Sequence, residues 1–222
     1  MVTISKVVPF LLLASAACHG MMADPGDTED LYNQDFEEIE TGEYPLDFLV
    51  LDGEFAVQEQ EDNRFLELPA SPLGSFGTLF GPTEKEGIAV TARIWSRSKK
   101  RLQPRFGVGL NGVTGYKLWL SPGKRSVELA KDDKVIATAP YEWKSGTWTR
   151  FHLQVRRKGE GEWKVEGKVW PDGEKEPADW SVSAKLEKAP VNGRPSLWGA
   201  PYSDRPIRFD DLSVFATEGS SQ

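Results

Sequence analysis

Two neighbouring stretches of alternating residues constrain the fold most. From Thr149 to Val155, the side chains of Thr149, Phe151, Leu153 and Val155 alternate with those of Arg150, His152 and Gln154. After a charged run holding Gly159 and Gly161, the residues Trp163, Val165, Gly167 and Val169 alternate with Lys164, Glu166 and Lys168. Successive strand side chains point to opposite faces, so each stretch reads as a strand with one buried and one wet face. The glycine-bearing charged run between them suits a hairpin loop. Parallel strands, covered on both faces, read as continuous apolar runs, so the sheet is expected to be antiparallel.

The pattern recurs along the chain. Short strands are expected at Phe48–Leu51, Glu54–Gln58 and Phe65–Leu68, each bounded by Gly, Asp, Asn or Pro, and Ser71–Pro82 reads as a Gly/Pro-rich loop enclosing Thr78–Phe80. Gly87–Trp95 places Ile88, Val90, Ala92 and Ile94 on one face and Ala89, Thr91, Arg93 and Trp95 on the other. Phe106, Val108 and Leu110 alternate with Arg105, Gly107 and Gly109; Tyr116, Leu118 and Leu120 alternate with Lys117, Trp119 and Ser121. Val127–Ala130 and Val135–Ala139 suggest a hairpin around Asp132-Asp133, and Ser196–Trp198 and Ile207–Phe215 complete the set. About twelve to fourteen strands and no long amphipathic helix indicate an all-β sandwich or barrel that fits a single domain.

The N-terminus reads differently. Lys6 precedes an apolar run from Val7 to Ala17, followed by small residues that offer cleavage after Ala16 or Ala17. This is the pattern of a signal peptide over residues 1–17, and the run is too short to span a membrane. Cys18, the only cysteine, sits where the lipid-accepting cysteine of a bacterial lipoprotein would, although Ser15 stands where that pattern prefers Leu. One thiol cannot form a disulfide within the chain, so the fold must rest on its core. Residues 18–34 read as an acidic linker, 35–216 as the sandwich and 217–222 as a disordered tail. Export to the periplasm, the extracellular space or a lipid anchor at the envelope is expected.

The net charge of −7, with no broad basic cluster, argues against a nucleic-acid partner. Gly107-x-Gly109-x-x-Gly112 matches a dinucleotide fingerprint as a string, but a strand rather than a helix follows it. With His19 in the N-terminal segment, His152 is the only histidine of the domain. A Ser-His-Asp triad would need it as base; an exposed strand histidine is the simpler expectation. A catalytic zinc site needs more His or Cys ligands than the chain has.

The order of motifs resembles the concanavalin A-like lectin/glucanase superfamily. Asp35-Phe36-Glu37 with Gly42 and Pro45 is similar to its opening strand. Trp148 before Phe151-x-Leu153-x-Val155, then Val169-Trp170-x-x-Gly173-x-x-x-Pro177-x-x-Trp180, is similar to bacterial exported members, including laminin-G-like domains and 3-keto-disaccharide hydrolases. Ile207–Val214 resembles their closing strand. The resemblance implies a two-sheet antiparallel jelly-roll sandwich and recognition or processing of extracellular carbohydrate. It also implies a structural calcium tying the first strand to the last, with Glu37 or Glu38 and Asp210 or Asp211 as ligands. The Glu-x-Asp-x-x-Glu motif of the glucanase members is absent; Glu59-x-Glu61 and Glu162-x-x-x-Glu166 have other spacings and read as solvated charge.

Among the eight tryptophans, Trp148 and Trp163 are expected in the core, and Trp170 and Trp180 are expected to pin a proline-containing loop. Trp95 and Trp119 stand opposite apolar neighbours. On adjacent strands they would share a wet face with Arg93, Arg105 and Lys117 and form a carbohydrate site. The alternative is that a loop covers them and makes a second small core. Trp198 and Tyr202 are further candidates at a rim. The functional expectation is a carbohydrate-binding module without an evident catalytic motif. The alternatives are a glycoside or keto-sugar hydrolase of the same fold and an envelope interaction module. In a binder, the two tryptophans should be open and away from paired carboxylates. In an enzyme, two acids, or an acid with His152, should converge on the groove.

Overall fold

The computed structural model describes residues 30–71 and 74–217. The expected signal peptide, Cys18 and most of the linker lie outside the described residues. Fifteen strands and one short 3-10 turn make up the described chain. The strands are β1 (Asp30–Gln34), β2 (Leu49–Asp52), β3 (Ala56–Gln60), β4 (Asn63–Leu68), β5 (Phe76–Leu79), β6 (Ile88–Ser96), β7 (Arg105–Leu110) and β8 (Tyr116–Ser121). They continue as β9 (Ser126–Lys131), β10 (Lys134–Pro140), β11 (Trp148–Gly159), β12 (Glu162–Pro171), β13 (Val182–Leu186), β14 (Ser196–Ala200) and β15 (Ile207–Ala216).

They form two antiparallel sheets. The first runs β13-β12-β11-β6-β15-β4-β3, with β1 added along β15; the second runs β10-β9-β8-β7-β14-β5-β2. The alternating residues that announced the strands face each other between the sheets. Val90, Ile94, Phe151, Leu153, Val165 and Phe209 from the first sheet pack with Phe106, Val108, Leu118, Leu129 and Leu197 from the second, all fully buried. Burying one such side chain is worth about 1.5–3 kcal/mol. The spacing between the sheets is tight: a Cβ on Gly167 would lie 2.6 Å from Leu118 Cδ1. This is the jelly-roll sandwich expected from the sequence. No helix among the described residues is long and apolar enough to cross a membrane.

Two expectations about the ends need correction. Asp30–Gln34, expected as linker, is a strand whose residues pair with Phe215, Val214, Ser213 and Leu212. Its Leu31 and Tyr32 pack against the core, which is reason enough for a polar segment to be held. Asp35-Phe36-Glu37, expected to open the first strand, is instead a turn with Phe36 at φ 63° and its ring fully buried. Strand β13 also goes beyond what the alternation showed.

A candidate functional site on the first sheet

The outer face of the first sheet holds the richest constellation of side chains. Register across β11 and β6 sets Trp148 opposite Trp95 and Arg150 opposite Arg93. Strand β15 then places Arg208 beside Trp95 and Asp210 beside Arg93. On β4, Leu66 and Leu68 point inward, so Phe65 points out and meets Trp148 edge-on at 6.2 Å. Arg208 lies over both Phe65 and Trp95 at 4.5 Å, anchored by Glu67 at 2.9 Å and Gln60 at 2.7 Å. Trp95, Trp148, Phe65, Arg208, Gln60 and Asn63 line a cavity of about 360 Å³, with Glu61 and Arg97 at its edge.

The floor beside this cavity is an ion network. Arg93 Nη2 donates to Asp210 Oδ2 and Asn63 Oδ1, both at 2.6 Å, and Asn63 Nδ2 donates to Asp210 Oδ2 at 2.9 Å. Arg150 donates to Asp172 at 2.6 Å and to Asp211 at 2.9 Å. The arrangement depends on a bulge. The register of β15 slips between Asp210 and Ser213, and Asp211 adopts φ 47°. The extra residue lets Phe209 and Leu212 both stay in the core while Asp210 and Asp211 both meet arginines. Asp210 is only 1% exposed; burial pushes its carboxyl up, against the pull of Asn63, Arg93 and the Asp211 amide. Arg93 in turn stacks on Trp148 at 4.7 Å, so the network also fixes an aromatic wall of the cavity. A larger polar cavity of about 690 Å³ borders Arg150 and Asp211 toward β1, but no aromatic ring lines it.

The residues expected to form one site are divided between the two sheets. Trp95 and Arg93 lie on β6 of the first sheet; Trp119, Lys117 and Arg105 lie on β7 and β8 of the second. Trp119 is 4% exposed, beneath the Arg105 guanidinium at 4.1 Å and against Trp198 at 6.3 Å. Lys117 covers Trp198 at 3.9 Å, and a Cβ on Gly77 would lie 2.7 Å from that indole. Burial lowers the Lys117 pKa. Trp119, Trp198 and Ala130 thus make a small second cluster outside the main core, the alternative weighed for Trp119. Trp148, Phe65 and Arg208 line the cavity without having been singled out as ligand-binding candidates, and Trp148, expected in the core, is only half-buried on the outer face. Strand parity could have found the first two: Trp148 shares a face with Arg150, not with Phe151, and Phe65 shares one with Glu67.

The carboxylates expected to hold calcium have other partners. Glu37 accepts from the Arg64 amide at 3.0 Å, while Asp210 and Asp211 are held by Arg93 and Arg150. Guanidinium groups stand where a cation would need to be, and calcium wants six to eight oxygens. No group of three His, Cys, Asp or Glu suited to a metal occurs among the described residues. These residues do not fit a calcium site; β1 pairing directly with β15 joins the first strand to the last.

His152 is not an exposed strand histidine. Its Nδ1 lies 2.7 Å from Glu176 Oε1, and Trp180 and Phe215 pack edge-on against its ring at 4.9 and 5.5 Å. Burial lowers its pKa against the pull of Glu176. Nε2 is buried without a partner, so it cannot reach a bound ligand. Lys168 caps Trp180 at 4.4 Å and reaches Glu176 at 2.9 Å, so Trp180 does pin the loop that follows β12. Glu166, read as solvated, is 1% exposed and bonded to Gln154, Arg156 and Lys164, which together hold its pKa at about 2 despite burial.

Comparison with known proteins matches this architecture. No protein-family model and no curated protein matches the chain. Among solved structures, the carbohydrate-binding module CBM66 of Bacillus subtilis superposes with a TM-score of 0.52 at 12% identity, covering 77% of this chain and 96% of that one. The potassium-bound form of the Emp46p carbohydrate recognition domain gives 0.56 at 9% identity, covering 85% and 96%. A Bacillus subtilis protein with a galectin-like fold gives 0.51 at 14% identity, covering 85% and 96%. At these identities the likeness establishes the concanavalin A-like fold.

Proposed function

We propose that this chain is a carbohydrate-binding module that holds a saccharide, without cleaving it, in the groove of Trp95 and Trp148, with the buried Phe65 backing Trp148. One observation carries the reading: two half-buried indoles stand opposite each other in register, beside a cavity of about 360 Å³ with polar groups on its rim. Pyranose rings present C–H faces that pack on aromatic rings, while Gln60, Asn63 and Arg208 offer hydrogen bonds to hydroxyls. Aromatic walls with a few convergent polar groups are the usual composition of a ligand site. Carbohydrate binding named for CBM66 and for the Emp46p domain supports the reading by fold.

Glu61 lines the cavity, and three further acids, Asp172, Asp210 and Asp211, lie in the ion network beside it. The surroundings of these three favour binding over cleavage. Asp210 is buried beneath Arg93, Asp172 and Asp211 are spent on Arg150, and His152 is sealed beneath Trp180. Export, with Cys18 left near the head of the mature chain and either carrying lipid or not, would place the module among envelope or extracellular glycans. A glycan array run on the full chain, with mass analysis of the bound glycans, tests the proposal. Glycans should be retained intact; failure to retain any, or their recovery as fragments, would overturn it.

A further inference from the structure

A second site lies at the far edge of the sandwich, away from the aromatic groove. Two cavities there, of about 570 and 370 Å³, adjoin at Lys185 and Leu186 of the edge strand β13 and are taken together as a trough bordered by β12 and the β9–β10 hairpin. Six lysines line it: Lys131, Lys134, Lys158, Lys164, Lys185 and Lys188. Three acids accompany them, Asp132, Glu162 and Glu187, which leaves an excess of three positive charges in a chain of net charge −7. Among the described residues, only Lys164 of the six has an ion-pair partner, Glu166 at 2.6 Å. The floor is apolar, with Tyr116, Trp163, Ile136 and Leu186.

The register makes this concentration of charge costly for folding. Lys164 is directly opposite Lys185 in the β12–β13 ladder, and Lys131 directly opposite Lys134 in the β9–β10 ladder. Like charges directly opposed across strands destabilise a sheet. Nothing in the packing needs them, since four of the lysines on the two ladders and the loops beyond them, Lys131, Lys134, Lys185 and Lys188, are exposed. Glu166 already offsets Lys164 at 2.6 Å, so the relief an external anion could give falls on Lys185 and on the exposed Lys131–Lys134 pair.

We infer that this trough binds a linear acidic polysaccharide, whose carboxylate or sulfate groups meet the lysines while sugar C–H faces rest on Trp163 and its apolar neighbours. A polysaccharide suits the shape, because the lysines line the walls of a trough with an aromatic floor rather than a protruding face that would meet a membrane. The site is independent of the Trp95–Trp148 groove, so the two can fail separately.

Affinity electrophoresis of the full chain through polygalacturonate, with fully methyl-esterified pectin as the uncharged control, tests this. The chain should be retarded by polygalacturonate alone, and the retardation should fade as salt rises. Lys185→Gln with Lys188→Gln should weaken binding roughly tenfold. Because Lys185→Gln removes a like-charge pair, the melting temperature should not fall. Trp148→Ala should leave this binding unchanged. No retardation, equal retardation by the ester, an unaffected double variant, or binding to phosphatidylglycerol vesicles without binding to polygalacturonate would each overturn the inference.

Discussion

Trp95 and Trp148 stand directly opposite each other across the β6–β11 ladder, and each carries an arginine on its ring, Arg208 at 4.5 Å and Arg93 at 4.7 Å. The first guanidinium is tied to Glu67 and Gln60, the second to Asp210 and Asn63. Both indoles are therefore positioned before any ligand arrives. Preorganisation of this kind lowers the entropy cost of binding.

Replacing either indole should remove stacking area without removing the fold. Trp148→Ala and Trp95→Ala should each weaken binding of an array-identified glycan by at least about tenfold. Trp119→Ala should leave affinity unchanged, because its ring belongs to the cluster on the other sheet. Titration calorimetry on the three variants would check this.

Glu166 should contribute acid-sensitive stability. Its carboxyl titrates at about 2 in the folded chain against an ordinary 4.5, because Arg156, Lys164 and Gln154 outweigh the cost of burial. A depressed pKa means the stabilisation is fully present above about pH 4.5 and is lost as the pH falls through about 2. Its size is on the order of 3 kcal/mol. Glu166→Gln should be less stable than the parent at pH 7, and the gap in denaturant unfolding should close across that window.

The contact between Gly167 and Leu118 should be intolerant of added volume. Gly167→Ala would force its Cβ to within 2.6 Å of Leu118 Cδ1. Overpacking of this kind costs about 1–3 kcal/mol. Adding Leu118→Val should recover part of the loss, measured by chemical denaturation of the single and double variants.

His152 should titrate below its ordinary value of 6.5, because burial disfavours the imidazolium more than Glu176 supports it. Neutral His152 then contributes stability that is present above about pH 6.5 and is lost as the pH falls through the lower folded value. The chain has two histidines, so a His152→Gln variant assigns the signal in a proton NMR titration. A midpoint at or above 6.5 would contradict the burial of the ring.

Much of the fold was legible because each strand of a sandwich has one wet face. Phe151 opposite Val169 and Leu153 opposite Gly167 follow the alternation directly. Strand β1 was not legible: Asp30-Leu31-Tyr32-Asn33-Gln34 is polar, and its partner lies at the far end of the chain. The site was half legible. Alternation shows that Trp95 and Trp119 point away from the core, but not which sheet each strand joins. Strands β6 and β7 are consecutive yet lie in opposite sheets, and that crossover separates the two indoles. The carboxylates misled for a different reason. A pair such as Asp210-Asp211 looks like a metal site until the arginines that neutralise it, Arg93 and Arg150, are brought beside it by strands far away in the chain.

The most direct measurement follows the indole N–H signals of the full chain by nitrogen-edited NMR during titration with a glycan retained on the array, assigned through single Trp→Phe variants. The signals of Trp95 and Trp148 should shift in a saturable way, while those of Trp119 and Trp198 stay in place. Shifts confined to Trp119 and Trp198, or no indole shift at saturating glycan, would contradict the groove on the first sheet as the binding site.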